Sequence, residues 1–252
     1  MTSFLLNSSQ RRTKMPAPRF NIYVCSYNRP TTTTTYKLLD YCTYVVRKSQ
    51  EQAYRDAGIP SIWALDDELI DSAFKVYDYV SRNAPEEVIA LCDDDIIDFM
   101  YRGEENESIT DPHIATSEIE RLAQLTEDLR IGYLTTDSTP RPFGYDQPFG
   151  FAVGSSGAFK IINRQYYKAQ MDHDVFYCCD VDCILQELIA NRIVLHPKYF
   201  LAHAKIDTNS GGCSSNRTRS AVMNNVTAME NKWGQYFRYN FARNTPTIKV
   251  KR

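Results

Sequence analysis

Three consecutive carboxylates, Asp93-Asp94-Asp95, follow the apolar run Val88-Ile89-Ala90-Leu91-Cys92, and Ile96-Ile97 follow at once. Like charges this close repel, and a carboxylate beside a buried strand loses hydration. The cluster needs a positive partner, and a hard divalent cation such as Mg²⁺ or Mn²⁺ is the simplest. Side chains alternate along an extended chain, so Asp93 and Asp95 share one side and can share one ion, while Asp94 faces the other way. The plainer alternative is a solvated acidic turn after a strand. An ion held there beside a nucleotide diphosphate would neutralise charge growing on the leaving phosphate.

Three further groups of residues can do chemistry. Tyr177-Cys178-Cys179-Asp180-Val181-Asp182 leads into a helical pattern. An aspartate there is either a helix cap or a general base facing an acceptor hydroxyl, with Asp182 the first choice and Asp180 the alternate. His203, with Lys205 and the loop Asn209-Ser210-Gly211-Gly212, forms the next group. Imidazole can complete a carboxylate metal shell, and a Gly-Gly loop exposes N–H groups that cradle phosphate. A lone histidine is more often packed or on the surface, as His196 before Pro197 is read. Last, Trp233, Tyr236, Phe237, Tyr239 and Phe241 interleave with Lys232, Arg238 and Arg243. Basic groups contact phosphates and aromatics stack on bases. The alternative is a packed C-terminal helix or strand with a solvated basic face.

The elements that must position these groups read as alternating β and α. Strands are expected at 20–25, 44–46, 61–65 and in the apolar run from Val88 that ends in the aspartates, and a helix is expected to open within 31–35. Further helices are expected at 49–57, capped by Gly58, and at 66–83, where Leu69, Ala73, Phe74, Tyr77 and Val80 recur at helical spacing. The second half is less regular, with helices expected at 117–130 and 181–191 and short strands at 131–134, 151–153, 158–163 and 193–195. Residues 138–149, rich in Pro, Gly and aromatics, read as a long loop or lid. The alternation predicts a mostly parallel sheet with helices on both faces, whose ligands sit at the carboxyl ends of the strands. The turn Ser26-Tyr27-Asn28-Arg29-Pro30 and the acidic turn both fall on that edge.

A chain of 252 residues with 43% hydrophobic and 24% charged residues has an ordinary globular composition. No apolar run is long enough to cross a membrane. Residues 1–19 read as a disordered basic tail, with the apolar stretch on the wrong side of its charges for a secretory signal. Seven cysteines without a CxxC pair argue against a disulfide framework or zinc site and for a reducing, cytoplasmic setting. The tail carries four basic residues and no acid, and 217–252 carries eight against one acid, so the middle is strongly acidic. Acidic middles suit metal sites, and basic ends suit a polyanion.

Taken together, Ser26 to Pro30, the Gln52 region, Cys92-Asp93-Asp94-Asp95, Asp180-Val181-Asp182 and His203 with Gly211-Gly212 resemble a GT-A fold glycosyltransferase. More narrowly, they resemble the TET-associated glycosyltransferases of phages, which are linked to hypermodified DNA bases. The resemblance covers about 20–219, and it implies a Rossmann-like, GT-A-like α/β domain over 20–216. Residues 20–100 would form the nucleotide-binding half, 101–216 the acceptor half, and 217–252 a basic extension. It implies that Tyr27, Arg29 and Gln52 contact a uridine-type nucleotide. Asp93, Asp95 and His203 would hold the ion, and Asp94 the sugar or ribose. Lys205, Gly211 and Gly212 would join the donor site, Gly157 would lie beneath the acceptor, and Asp182 would be the catalytic carboxylate. One departure is Asp66-Asp67-Glu68, where many relatives carry Asn and Gly. The expected activity is transfer of a sugar from a UDP-sugar to a hydroxyl of a modified pyrimidine in DNA, with Arg217, Arg219, Arg238 and Arg243 on the duplex, in the host cytoplasm if phage-encoded. The competing expectations are a protein, lipid or glycan acceptor, and a two-metal nuclease or phosphotransferase.

Overall fold

The computed structural model describes residues 20–140, 147–204, 218–243 and 245–250. The 1–19 tail, Lys205, Gly211, Gly212, Arg217 and the centre of the 138–149 loop lie outside them. Strands β1 (Phe20–Cys25), β2 (Thr43–Arg47), β3 (Ile62–Leu65) and β4 (Val88–Asp93) pair in parallel in the order β3-β2-β1-β4. The helices between them are α1 (Glu51–Asp56) and α2 (Ala73–Asn83). Next come β5 (Ile96–Arg102), β6 (Asn106–Ile109), α3 (Pro112–Asp128), β7 (Tyr133–Thr135), β8 (Phe149–Gly150) and β9 (Phe159–Asn163). The antiparallel β9 joins β4 to β7, completing a six-stranded, mostly parallel sheet. The chain closes with α4 (Cys179–Ala190), β10 (His196–Pro197), β11 (Phe200–Ala204), α5 (Arg219–Trp233) and the hairpin β12 (Phe237–Asn240) to β13 (Thr245–Ile248).

Strand alternation builds two cores. Ile22, Val24, Tyr44, Val46, Val88, Ala90 and Cys92 face α1, α3 and β5/β11, while Tyr23, Val45, Ile89 and Leu91 face α2 and α4. The second sheet, β11-β5-β6, is antiparallel and grows directly out of the acidic turn. Phe99 on β5 stacks on Phe200 of β11 at 5.7 Å, and both meet Phe159 of β9 edge-on. This aromatic triad locks the two sheets together.

Several boundaries differ from the sequence expectation, each for a local reason. Helix α2 starts at Ala73, because Ser72 caps it by accepting from Lys75 N at 3.3 Å. The preceding acidic residues stay in a loop, where Asp67 accepts from Ser49 N at 3.0 Å and Arg47 holds the Ile70 carbonyl at 3.1 Å. Leu69, expected in the helical stripe, is exposed there. The threonine run gives a short 3-10 turn at Thr35–Leu38 instead of a helix at 31–35. Strands β5 and β11 are absent from the sequence expectation. Asp111 caps α3 with Pro112 in its first turn, an earlier start than the periodicity gives. Gly58, at φ +83, ends α1 in a Schellman arrangement, with Ile59 N donating to Tyr54 O and Gly58 N to Arg55 O.

The triad gives a stability test. Phe200 is wholly buried, so Phe200→Ala is expected to cost about 3–5 kcal/mol in urea unfolding. A loss under about 1 kcal/mol, the level of ordinary surface changes, would show that the second sheet is not locked through this ring.

Candidate active site

The carboxyl ends of β1 and β4 lie side by side, with Cys25 opposite Asp93 in register. Strand β4 ends at Asp93, and Asp94-Asp95 form the tight turn into β5. The three carboxylates therefore do not follow simple strand alternation. Asp94 is buried under the β1 turn, accepting from Ser26 Oγ at 2.5 Å and Arg29 Nη1 at 2.8 Å. The same Arg29 nitrogen reaches Asp95 at 3.2 Å, so one guanidinium bridges two acids. Side-chain exposure is 5% for Asp94 and 24% for Asp95, which leaves Asp95 the more accessible. Asp94 thus has a protein hydrogen bond on each carboxylate oxygen and little exposed surface for the expected ribose or sugar contact.

The backbone of the acidic turn is latched by hydroxyls. Thr33 Oγ1 donates to Asp94 O at 2.7 Å, Thr34 Oγ1 to Ile96 O at 3.0 Å and Thr35 Oγ1 to Asp93 O at 2.9 Å. Tyr44 OH meets Thr33 Oγ1 at 2.6 Å, and Tyr54 OH meets Ser26 Oγ at 2.6 Å. Short hydroxyl side chains suit this position because they satisfy carbonyls that the end of the strand leaves unpaired. The first turn is held similarly: Asn28 stands at φ +56, where asparagine is tolerated, and its N–H donates to Gln50 Oε1 at 2.9 Å. Gln52 instead bonds Asp56 on the exposed face of α1, so Gln50 is the glutamine at this turn. Tyr27 is exposed, with the Arg47 guanidinium 4.4 Å from its ring centroid. The exposed ring offers a face for stacking.

Asp93 points to the opposite side, toward α2 and α4. It accepts from Tyr77 OH. Burial is the main cause that pushes its carboxyl from 3.8 up to about 6, with Lys160 and the Tyr77 hydrogen bond pulling back. Lys160, on β9, holds its ammonium 4.1 Å from the Tyr77 ring centroid. Beside them a narrow cavity of about 30 Å³ is lined by Phe74, Tyr77, Tyr133, Lys160, Tyr167 and Asp180, among others. That is room for one or two waters. Asp180 closes it from the first turn of α4, accepting from Ser156 N at 3.2 Å, and burial raises its carboxyl above the ordinary range. The Lys160 charge offsets part of the effect of burial on both the Asp93 and the Asp180 carboxyls.

The other expected residues fall elsewhere. Asp182 is 0% exposed and accepts from Trp233 Nε1 at 2.7 Å, Gln186 Nε2 at 2.7 Å and Lys232 Nζ. No face remains for an acceptor, so the first choice between the two carboxylates passes to Asp180. His203 pairs with Asp98, its cross-strand partner, at 2.8 Å, rather than with Asp93 or Asp95. Among the described residues no three His, Cys, Asp or Glu side chains converge on an ion position. Gly157 sits where a Cβ would lie 2.3 Å from Thr136 O, so only glycine fits the loop entering β9. Arg219 and Arg243 are exposed, and Arg238 Nη1 donates to the Gly234 and Phe237 carbonyls, each at 2.8 Å. Trp233 and Phe237 turn inward, whereas Phe241 is 55% exposed.

Sequence reasoning misses Lys160, Tyr77 and the threonine latch. Lys160 has a signal: a lone charge in the buried strand Phe159-Lys160-Ile161-Ile162 seldom lacks a partner. Tyr77 enters the pattern only as apolar periodicity, and the threonines only as a helix start.

No family model matches the chain, and neither does any curated protein. Solved structures do match. A crystal structure of a mycobacterial protein superposes with a TM-score of 0.50 at 8% identity, covering 92% of this chain and 84% of that one. Glucosyl-3-phosphoglycerate synthase from Mycobacterium tuberculosis, in complex with Mn²⁺, UDP-glucose and phosphoglyceric acid, gives 0.48 at 10% identity over 93% of this chain and 88% of its own. Mannosyltransferase PcManGT from Pyrobaculum calidifontis, in complex with GDP-Man and Mn²⁺, gives 0.44 at 13% over 67% of this chain and 51% of its own. The chain thus spans about half the length of that mannosyltransferase. At 8% identity, the likeness to the mycobacterial protein is one of fold. Fold and site together define a mostly parallel α/β domain with carboxylates gathered at the carboxyl edge of its sheet.

The Asp93 environment gives a pH test. Its folded pKa is raised, so in the metal-free protein the native state binds this proton more tightly than the unfolded chain. The stability it contributes is full below about 3.8, falls as pH rises and is gone above about 6. Urea unfolding at pH 4.5 and 7.5 should show this component in the wild type and lack it in Asp93→Asn. An equal pH dependence in both proteins would contradict the assignment.

Proposed function

We propose that this protein is a divalent-metal-dependent glycosyltransferase that moves a sugar from a UDP-sugar onto a hydroxyl of a modified pyrimidine in DNA, such as a 5-hydroxymethyl group. One observation carries the reading: Asp93 and Asp95 stand at the carboxyl edge of parallel strands, beside the β1 turn, and a third carboxylate, Asp180, lines the cavity that Tyr77 and Lys160 also line. Ligands of open α/β sheets bind at that edge.

The donor set fits a hard cation. Asp95, part-exposed on the Arg29 side of the turn, and Asp93, on the other side, are the carboxylates this chain offers to an ion, and the burial that raises the Asp93 carboxyl is relieved by positive charge. Mg²⁺ and Mn²⁺ favour six oxygens, and Mg²⁺ typically takes one or two carboxylates and leaves the rest to water and substrate phosphates. Such an ion, when bound, supplies Lewis-acid neutralisation of the departing diphosphate. The chain's own groups do the rest. Arg29 ties Asp94 down and holds one oxygen of the part-exposed Asp95. Tyr27 offers its exposed ring to a base, with Gln50 fixing the turn that carries it. The small cavity has no room for a sugar ring, so a donor sugar binds outside it. Asp180, its carboxyl raised by burial, is a stronger base than a solvated aspartate and takes the proton of the acceptor hydroxyl. The sugar passes through an oxocarbenium-like state.

The acceptor rests on charge. Arg219 and Arg243 are exposed on the C-terminal elements, and the exposed Phe241, two residues before Arg243, can stack on a base. Among the described residues no helix is long and apolar enough to cross a membrane.

Two outcomes follow. UDP-glucose is expected to raise the apparent melting temperature only when Mn²⁺ is present. Asp95→Asn should lose that shift and about a hundredfold or more in turnover. A shift that survives Asp95→Asn would remove the metal reading. Binding to hydroxymethylated duplex DNA should weaken steeply with salt. Each of Arg219→Ala and Arg243→Ala should make the log–log slope shallower by roughly 0.9, the value for one phosphate no longer neutralised. A flat response would point to a protein, lipid or glycan acceptor.

A further inference from the structure

The buried Asp182 carboxylate anchors a polar cluster outside the cavity whose outer members, Lys232 and Asp172, reach solvent. Its carboxylate has no exposed surface and is held by Gln186 of α4 and by Lys232 and Trp233 of α5. Lys232 also reaches Asp172 at 2.7 Å, and Asp172 accepts from Asp174 N at 3.0 Å, capping the 3-10 turn His173–Cys178 that runs straight into α4. From the middle of α5, Asn225 Oδ1 accepts from Tyr177 N at 2.8 Å in that same turn. Helix α5 therefore grips both the entry to α4 and its first turn. Asp180, the carboxylate on the cavity, sits between those two grips.

We propose that α5 is a positioning element for Asp180 and that Trp233 and Lys232, acting through Asp182, are its positioning residues. This rests on the reading of Asp180 as the acceptor-side carboxylate. The plainer alternative is that the cluster merely glues two helices. An apolar seam already does that: Val175, Cys178, Val181 and Leu185 meet Val226, Met229 and Phe237. An ion pair with one buried carboxylate and a part-exposed ammonium adds little stability, because desolvation of the carboxylate and solvent screening of the ammonium offset the attraction. What it adds is direction. The planar indole N–H and the ammonium fix the Asp182 oxygens, and the rigid helical turn passes that orientation to Asp180, two residues earlier. Misplacement of a reacting group by about 1 Å can cost a hundredfold in rate.

The test is Trp233→Phe in the full chain, which keeps an aromatic ring and removes the N–H, with Lys232→Met as a second variant. Amide hydrogen exchange should quicken in 173–183 and stay unchanged in α1 and β4. With Mn²⁺ and UDP-glucose, and water as acceptor, kcat should fall by about tenfold to a hundredfold while KM for the donor stays within about twofold. Combined with Asp180→Asn, Trp233→Phe should lower kcat no further than Asp180→Asn alone, since both act on one group. Unchanged exchange in 173–183, an equal rise in KM, or losses that multiply would each overturn the proposal. If the wild type does not turn over UDP-glucose at all, the enzymatic reading fails, and the exchange pattern alone decides whether α5 positions this turn.

Discussion

Three adjacent carboxylates at the end of a buried strand repel one another, and the surrounding structure is arranged to hold them apart. Arg29 bridges Asp94 and Asp95, Lys160 stands near Asp93, and Tyr77 donates to it. These groups divide the cluster in two. Asp94 is neutralised and sealed inside. Asp93 keeps a carboxyl pushed up to about 6, chiefly by burial, and Asp95 keeps part of its surface open. A site that retains negative charge in this way is stabilised by a cation more than by any rearrangement of the chain.

Rigidity comes from hydroxyls rather than from regular pairing. Thr33, Thr34 and Thr35 take the carbonyls of the turn, and Tyr44 and Tyr54 support Thr33 and Ser26 from the core. The turn leads without interruption into β5, whose Phe99 is locked against Phe159 and Phe200. Thus one aromatic triad and one hydroxyl latch fix the acidic residues against both sheets. The opposite wall of the site, α4, is set by a different device, the buried Asp182 carboxylate and its partners on α5. The two walls are therefore supported by separate parts of the fold.

Much of this is legible from local pattern. The four parallel strands show as short apolar runs bounded by turns, and the carboxylates at the end of the fourth mark the carboxyl edge of the sheet. Helix starts are less legible, because Ser72 and Asp111 set them through capping that periodicity does not show. Strands β5 and β11 escape a local pattern because their pairing is non-local: 105 residues separate His203 from Asp98. The same non-locality explains the site. Choosing between Asp180 and Asp182 depends on which one α5 covers, and Lys232 of α5 lies 50 residues beyond Asp182. Gln50 and Gln52 differ only in which face of a short turn they occupy, a distinction too fine for a sequence pattern. His203 looks like a ligand by its company in the chain, but its strand register gives it to Asp98.

The most direct test of the central claim is anomalous scattering from crystals of this protein soaked with Mn²⁺ and UDP. The expected result is a single manganese peak within bonding distance, about 2.0–2.2 Å, of an Asp95 or Asp93 oxygen and of the diphosphate. UDP bound with no manganese beside these carboxylates, or manganese bound at Asp98 and His203 instead, would contradict it.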